Sequence, residues 1–118
     1  MFKIRPIQAK DNAAIAQIIR DVSQEFGLAP ESGFAVADPI LDNLYEVYDQ
    51  TNAQYWVIED ETGQIHGGGG LSPLTGDASI LEIQKMYFLP TLRGFGFAKQ
   101  ILEKSFEFAK QQGFQSCY

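Results

Sequence analysis

The sequence has few of the residues on which disulfide-stapled, metal-bound or membrane-spanning proteins depend. Its 118 residues include one cysteine, one histidine and one tryptophan. A lone cysteine cannot form an internal disulfide, and a lone histidine without partners at ligand spacing gives no metal site. No apolar run reaches the roughly 20 residues of a membrane-spanning helix. We therefore expect a single metal-free domain over residues 1–118, cytoplasmic and without membrane contact.

Basic residues are also scarce, and they are unevenly placed. Nine Lys and Arg stand against fifteen Asp and Glu, for a formal net charge of −6. Residues 1–84 carry 4 basic and 13 acidic side chains, whereas residues 85–118 carry 5 and 2. An acidic chain without a basic stripe repels phosphate backbones, which argues against nucleic acid as a partner. The basic part suits a polyanionic cofactor and the acidic part a cationic amine, with solvated charge kept for solubility as an equal alternative.

The chain does contain a clear succession of strand and helix patterns. Two-residue and 3.6-residue hydrophobic periods, bounded by Gly, Pro and capping Asp residues, predict the order β-α-α-β-β-β-α-β in a mixed α/β fold. The predicted strands are 1–7, 55–59, 64–71, 80–89 and 114–118, and the predicted helices are 11–27 (Asp11 as cap, Gly27 as stop), 38–48 (Asp38 as cap) and 97–112. We expect a connection over 72–79, and Phe106 and Phe108 in the core. A strand-helix-strand crossover makes strands 80–89 and 114–118 parallel.

The most informative stretch is residues 85–99, where a hydrophobic strand, a proline and a glycine-spaced turn lead into a helix. The turn reads Arg93-Gly94-Phe95-Gly96-Phe97-Ala98. Backbone N–H groups at a helix start have no intrahelical acceptor and lie at the positive end of the helix dipole, so they attract an anion. Gly94 and Gly96 let that backbone approach a ligand closely, and Arg93 adds charge. The alternative is a helix start whose glycines serve close packing only.

This turn fits the Arg/Gln-x-x-Gly-x-Gly/Ala signature and resembles the GNAT superfamily of N-acetyltransferases, in which it cradles the pyrophosphate of acetyl-coenzyme A (acetyl-CoA). The resemblance implies a GNAT-like, mostly antiparallel sheet with flanking helices and one parallel strand pair that splays around the pantetheine arm. It also implies an acyltransferase that moves acetyl from acetyl-CoA to a primary amine of a small-molecule or amino-acid-like acceptor by direct attack, without metal. A noncatalytic acetyl-CoA-binding or assembly module of the same fold stays open as the alternative.

The resemblance assigns cofactor-binding roles to two segments. The backbone N–H of Met86 would hold the thioester carbonyl, since a splayed strand leaves such groups unpaired. The full predicted cofactor-binding set is Met86, Tyr87, Phe88, Arg93, Gly94, Phe95, Gly96, Phe97, Ala98 and Lys99. Glu82 is the candidate catalytic base, because burial in an apolar strand would make it a better proton acceptor. A solvent-facing or structurally paired carboxylate is the equal alternative for Glu82.

Other conspicuous residues predict structural roles. The run Gly67 to Gly70 has no following Lys-Ser/Thr or helix, so we interpret it as a strand that leaves room for another backbone or for substrate. His66 is expected at the surface or in a hairpin, and Cys117 is expected as a small buried residue rather than a nucleophile.

The sequence also departs from the family pattern. GNAT members continue past the last strand with another helix and two strands, including a tyrosine that often protonates the departing thiolate, whereas this sequence stops at Tyr118. The general acid is therefore unassigned, with Tyr45, Tyr48, Tyr55 and Tyr87 as possible substitutes that more often serve as core or rim aromatics. We expect strand 114–118 to form an open sheet edge and the chain to associate as a homodimer.

Overall fold

A computed structural model of the protein describes residues 1–25, 39–74, 76–114 and 116–117. Within these ranges, five strands and three α-helices follow the predicted order. They are β1 (Lys3–Pro6), α1 (Asn12–Glu25), α2 (Leu44–Tyr48), β2 (Gln54–Glu59), β3 (Ile65–Leu74), β4 (Asp77–Phe88), α3 (Phe97–Gln111) and β5 (Ser116–Cys117). No helix in the described ranges is both long and apolar enough to cross a bilayer.

The strands form one mixed sheet in the order β1-β2-β3-β4-β5. The first four are antiparallel neighbours, and β5 is parallel to β4. The described β4–β5 pairing consists of Ile80 with Ser116 and Leu81 with Cys117, so the rest of β4 has no described neighbour on that side. The predicted fold class, a mostly antiparallel sheet with one parallel pair, is confirmed.

Helices cover both faces of this sheet. On one face, α1 and α2 pack on Tyr55 and Val57, and on the other face α3 packs near Trp56 and Ile58. These four residues are consecutive in β2, and they are buried alternately in two cores because successive side chains of a strand point to opposite faces.

Local hydrogen bonds stabilise the end of α3 and the turn that precedes α1. Gly113, at φ 82°, ends α3 in the left-handed conformation. The Gly113 N–H donates to the Lys110 carbonyl at 3.1 Å, and the Phe114 N–H donates to the Ala109 carbonyl at 2.9 Å, as in a Schellman motif. The prediction that Asp11 caps α1 is wrong. Asp11 lies in a preceding 3-10 turn, Ala9–Asp11, where its carboxylate accepts the N–H of Gln8 at 2.8 Å.

Two further boundaries and one predicted core residue differ from the predictions. The connection over 72–79 is much shorter, because β3 runs to Leu74 and β4 begins at Asp77, with Gly76 at φ 95° in the turn. The second helix is a 3-10 turn, Pro39–Asn43, followed by the short α2. Phe106 is 52% exposed rather than in the core, whereas Phe108 packs edge-on to Trp56. The predicted roles of Gly27 and Asp38 lie outside the described residues.

Candidate active site

The glycine run of β3 forms a strip without side chains between β2 and β4. A Cβ placed on Gly68 would lie 2.7 Å from Tyr55 Cε1, and one on Gly70 would lie 2.7 Å from Tyr55 Cδ2. On the opposite face, a Cβ on Gly67 would lie 2.8 Å from Phe88 Cδ1, and one on Gly69 would overlap the side chain of Met86. Neighbouring backbone and side chains therefore fill the room that the glycines leave.

The strand beside this strip carries a β-bulge. Gly68 pairs with Tyr87 and Gly70 pairs with Gln84, which leaves Lys85 and Met86 opposite the single residue Gly69. Lys85 has φ 52°, and it is the one non-glycine residue with positive φ in the described part of the chain.

The bulge also changes the face of the sheet to which the following side chains of β4 point. Ile83 packs on the α3 side of the sheet, and so do Met86 and Phe88. Tyr87 and Leu89 instead pack on the side of α1 and α2. One extra residue between Ile83 and Met86 accounts for this change of parity.

Two buried tyrosines contact β4 from the side of α1 and α2. The hydroxyl of Tyr55 donates to the Lys85 carbonyl at 2.7 Å, and the hydroxyl of Tyr48 donates to Gln84 Oε1 at 2.7 Å. The two rings pack with centroids 5.1 Å apart. Burial raises the pKa of both phenols, and the Glu82 charge adds to the effect at Tyr48. Both hydroxyls therefore stay protonated as hydrogen-bond donors, and both are poor acids for a thiolate.

Glu82 lies on β4 two residues before Gln84, on the same face of the sheet. Its Oε1 accepts the Gln84 side-chain N–H at 2.8 Å, and its side chain is half-buried. Tyr48, Gln84 and Glu82 thus form a chain of hydrogen bonds that the sequence did not indicate. Polar residues two positions apart are common in strands, so the spacing of Glu82 and Gln84 did not predict that their side chains form a hydrogen bond.

The glycine turn has the conformation of an anion site. Gly94 lies at φ 88°, and Gly96 lies at φ 76° as the N-cap of α3. No heavy atom in the described ranges lies within 4 Å of a Cβ placed on either glycine, so close packing does not account for them. Their backbone angles do, because side chains rarely tolerate such φ values. The first bond of α3 runs from the Gln100 N–H to the Gly96 carbonyl at 3.1 Å. None of the turn, loop and cap hydrogen bonds in the described part of the protein has a backbone N–H of residues 94–99 as its donor.

Arg93 connects this turn to α1. Its guanidinium donates to both carboxylate oxygens of Glu25, at 2.6 and 2.8 Å, and to the Phe88 carbonyl at 2.9 Å. This hydrogen bonding lowers the pKa of Glu25. Arg93, which is predicted to help hold phosphate, is therefore paired with the Glu25 carboxylate. A bound phosphate would replace that carboxylate as the partner of the guanidinium.

His66 and Cys117 take structural positions. His66 Nε2 lies 2.8 Å from Asp60 Oδ2, and its Nδ1 lies 2.8 Å from Thr91 Oγ1, so it connects β3 to the turn before Arg93. Cys117 is half-buried beside the α3 core, and burial raises the pKa of its thiol, which disfavours a nucleophilic thiolate. No cluster of three or more metal-ligating side chains occurs among the residues described.

The site combines a mixed sheet, a bulged strand and a helix start whose backbone amides have no acceptor among the turn and cap bonds of the described residues. Together these features indicate the acyltransferase class that the turn resembles. The chain belongs to the acetyltransferase (GNAT) family, whose sequence model matches residues 16–118.

Known relatives agree with this assignment. The chain is 52% identical over 116 residues to the protein named uncharacterized N-acetyltransferase YjgM of Escherichia coli (strain K12), covering 98% of this chain and 69% of that protein. A GNAT acetyltransferase structure from Staphylococcus aureus Mu50 superposes with a TM-score of 0.82 at 20% identity, covering 97% of this chain and 69% of the other. A predicted acetyltransferase with acetyl-CoA from Clostridium acetobutylicum gives 0.76 at 21% identity, covering 100% and 79%. The structures show the shared fold, and the family and the bacterial relative make this chain an acetyltransferase.

Proposed function

We propose that this chain is an N-acetyltransferase that moves acetyl from acetyl-CoA to a primary amine of a small-molecule or amino-acid-like acceptor. The observation that carries the proposal is the set of backbone N–H groups in residues 94–99 without described protein acceptors. They lie at the positive end of α3, and residues 89–93 separate them from the strand that would align the thioester. A diphosphate supplies the acceptors that these groups lack.

The cofactor site in this proposal has two parts. Residues 94–99 hold the diphosphate through backbone amides, and Arg93 moves from Glu25 to phosphate when the cofactor binds. Met86, Tyr87 and Phe88 hold the pantetheine arm along the part of β4 that β5 does not pair in the described structure. The Met86 N–H donates to the thioester oxygen as negative charge develops there.

The acceptor part of the proposal rests on Glu82. Two acids near the ends of α1 and α2, Glu25 and Asp42, are paired with arginines, whereas Glu82 accepts a bond from the Gln84 amide. Glu82 has no cationic partner among the described residues, and such a carboxylate suits an incoming ammonium group. Glu82 removes one proton from this ammonium, which gives the nitrogen its lone pair. The neutral amine attacks the thioester carbon, the C–N bond forms, the C–S bond breaks, and the nitrogen releases its second surplus proton to water. The sulfur leaves as thiolate, and its proton donor is left open.

Binding and turnover test the proposal separately. Calorimetric titration with acetyl-CoA should give saturable binding, and a panel of amines assayed for thiol release should include at least one that is turned over. Absence of acetyl-CoA binding would refute the cofactor site. Binding of acetyl-CoA without thiol release from any amine would instead favour the noncatalytic module. No observation at the site supports that alternative.

We also propose that the chain associates as a homodimer through a sheet edge. In the described sheet, β1 and β5 are the outer strands, and an outer strand presents main-chain donors and acceptors for pairing. Light scattering at high protein concentration should give twice the monomer mass, and a monomer there contradicts the proposal.

A further inference from the structure

We propose that Tyr55 is a positioning residue for acetyl transfer, whose hydroxyl holds the peptide between Lys85 and Met86 so that the Met86 N–H is aimed at the thioester carbonyl. The inference rests on the proposed function for what this N–H binds. The part of the inference that concerns how the peptide is held depends only on the contacts of Tyr55.

The contact is short, and its donor residue is fully buried. Tyr55 has no exposed surface, and its hydroxyl donates to the Lys85 carbonyl at 2.7 Å. Because burial raises the pKa of the phenol, this donor does not ionise in the working range of pH. Neither Lys85 nor Met86 has a partner in the β3–β4 register, so the Tyr55 hydroxyl satisfies a carbonyl that the bulge removes from the ladder.

The held carbonyl and the Met86 N–H belong to the same peptide unit. A trans peptide is planar, and its C=O and N–H point in opposite directions, so fixing one direction fixes the other. The carbonyl is held from the side of β2 and β3. The Met86 N–H therefore points away from the Tyr55 hydroxyl, and in this proposal the thioester lies on that side, beside the stretch of β4 that β5 does not pair in the described residues. A hydrogen bond to the carbonyl also polarises the peptide and strengthens its N–H as a donor.

The glycine run explains how Tyr55 reaches this peptide. Tyr55 lies on β2, and its ring must cross β3 to touch β4. The ring lies over Gly68 and Gly70, where a Cβ would come within 2.7 Å of its carbons. Any side chain at these two positions would push the ring away from Lys85. The diphosphate turn and the acceptor site make no use of this glycine pair, whereas the crossing of Tyr55 requires it.

The test removes one hydroxyl and follows both catalysis and the peptide itself. For Tyr55→Phe we expect kcat to fall by about tenfold, less than the hundredfold or more that follows from loss of an oxyanion donor outright. The dissociation constant of acetyl-CoA should change by less than about twofold, because phosphate contacts supply most of that binding. In ¹H–¹⁵N spectra, the amide proton of Met86 should move upfield, since its peptide carbonyl loses a hydrogen bond.

Ser23→Ala is the matched control, because it deletes a buried hydroxyl on α1, on the same side of the sheet, that has no hydrogen-bond partner among the described residues. It should leave kcat and the Met86 resonance unchanged. If Tyr55→Phe does not fold, difluorotyrosine at position 55, a stronger donor, should move the Met86 proton downfield.

An unchanged Met86 shift in the folded variants overturns the inference, as does wild-type kcat in Tyr55→Phe. If the wild-type chain turns over no amine, the proposed function fails by itself, and the Met86 shift still decides whether Tyr55 holds the peptide.

Discussion

At the scale of single residues, Glu82 has surroundings that suit a proton acceptor. The Tyr48 hydroxyl occupies Gln84 Oε1, which turns the amide N–H of Gln84 towards Glu82 Oε1. That bond uses one carboxylate oxygen of Glu82, and no donor to the other oxygen occurs among the described residues, so one oxygen remains for the acceptor amine.

We predict that Glu82→Gln lowers kcat by about a hundredfold or more, the usual contribution of a positioned general base. Affinity for acetyl-CoA should not change, because the diphosphate contacts lie on another segment. Steady-state kinetics and calorimetry measure the two quantities. Glu61→Gln, in the exposed turn between β2 and β3, is a matched loss of charge that should leave both unchanged. Wild-type turnover in Glu82→Gln would remove this residue from the mechanism.

Lys85 is the second residue whose conformation matters. It holds φ 52° at the bulge, where L side chains are strained and β-branched ones are strained most. We predict that Lys85→Val is less stable than Lys85→Gly by about 1–2 kcal/mol in denaturant unfolding. The comparison with glycine isolates the backbone effect, because both variants remove the same charge. Equal stabilities of the two variants would mean that the strand does not require a positive φ here.

At the scale of elements, the Arg93–Glu25 pair connects the end of α1 to the start of α3. In the proposed site, cofactor phosphate competes with the Glu25 carboxylate for the same guanidinium. We predict that Glu25→Gln tightens acetyl-CoA binding several-fold and that Arg93→Ala weakens it by about tenfold, both measured by calorimetry.

A second arginine–carboxylate pair on α1 provides the control for this prediction. Arg20 bonds both carboxylate oxygens of Asp42, at 3.0 and 2.9 Å, with comparable exposure. Asp42→Asn removes the same kind of pair away from the glycine turn, so acetyl-CoA affinity should stay at the wild-type value. If Glu25→Gln and Asp42→Asn behave alike, the pair at Arg93 has no specific effect on the cofactor.

The elements around the glycine turn were predictable because local residues fix them. Proline and glycine mark the boundaries of α3, so its predicted range, 97–112, agrees with Phe97–Gln111. The bulge was not predictable, since lysine has no preference for positive φ. The contact from Tyr55 to Lys85 joins residues 30 positions apart, and no spacing rule reports such a contact. The glycine run did signal a close approach, although the sequence could not say that a tyrosine from β2 would make it.

At the scale of the whole molecule, a buried ion cluster ties the first strand to the sheet and to the start of α1. Arg5 donates to both carboxylate oxygens of Asp11, at 2.8 and 2.9 Å, and its Nε lies 3.1 Å from Glu59. Asp11 is 3% exposed. Burial alone opposes ionisation of this carboxyl, but the bonds from Arg5 and the Gln8 amide outweigh it and lower the pKa of Asp11.

This cluster should make folding sensitive to acid in a defined direction. A carboxyl whose folded-state pKa lies below its unfolded value, about 3.9, contributes stability that is fully present above that value. The contribution disappears as pH falls towards the folded-state pKa, because protonation then breaks the pair with Arg5. We predict that Asp11→Asn lowers the free energy of unfolding by about 3 kcal/mol at neutral pH, the usual cost of removing one partner from a buried ion pair.

The difference between the wild-type protein and Asp11→Asn should stay constant above about pH 5 and shrink below about pH 4. Denaturant unfolding at a series of pH values measures it. Asp49 is exposed after α2, so the free energy of unfolding of Asp49→Asn should follow that of the wild-type protein at every pH. A gap between the wild-type protein and Asp11→Asn that persists unchanged into acid would mean that packing of the side chain at position 11, rather than its charge, holds β1 to α1.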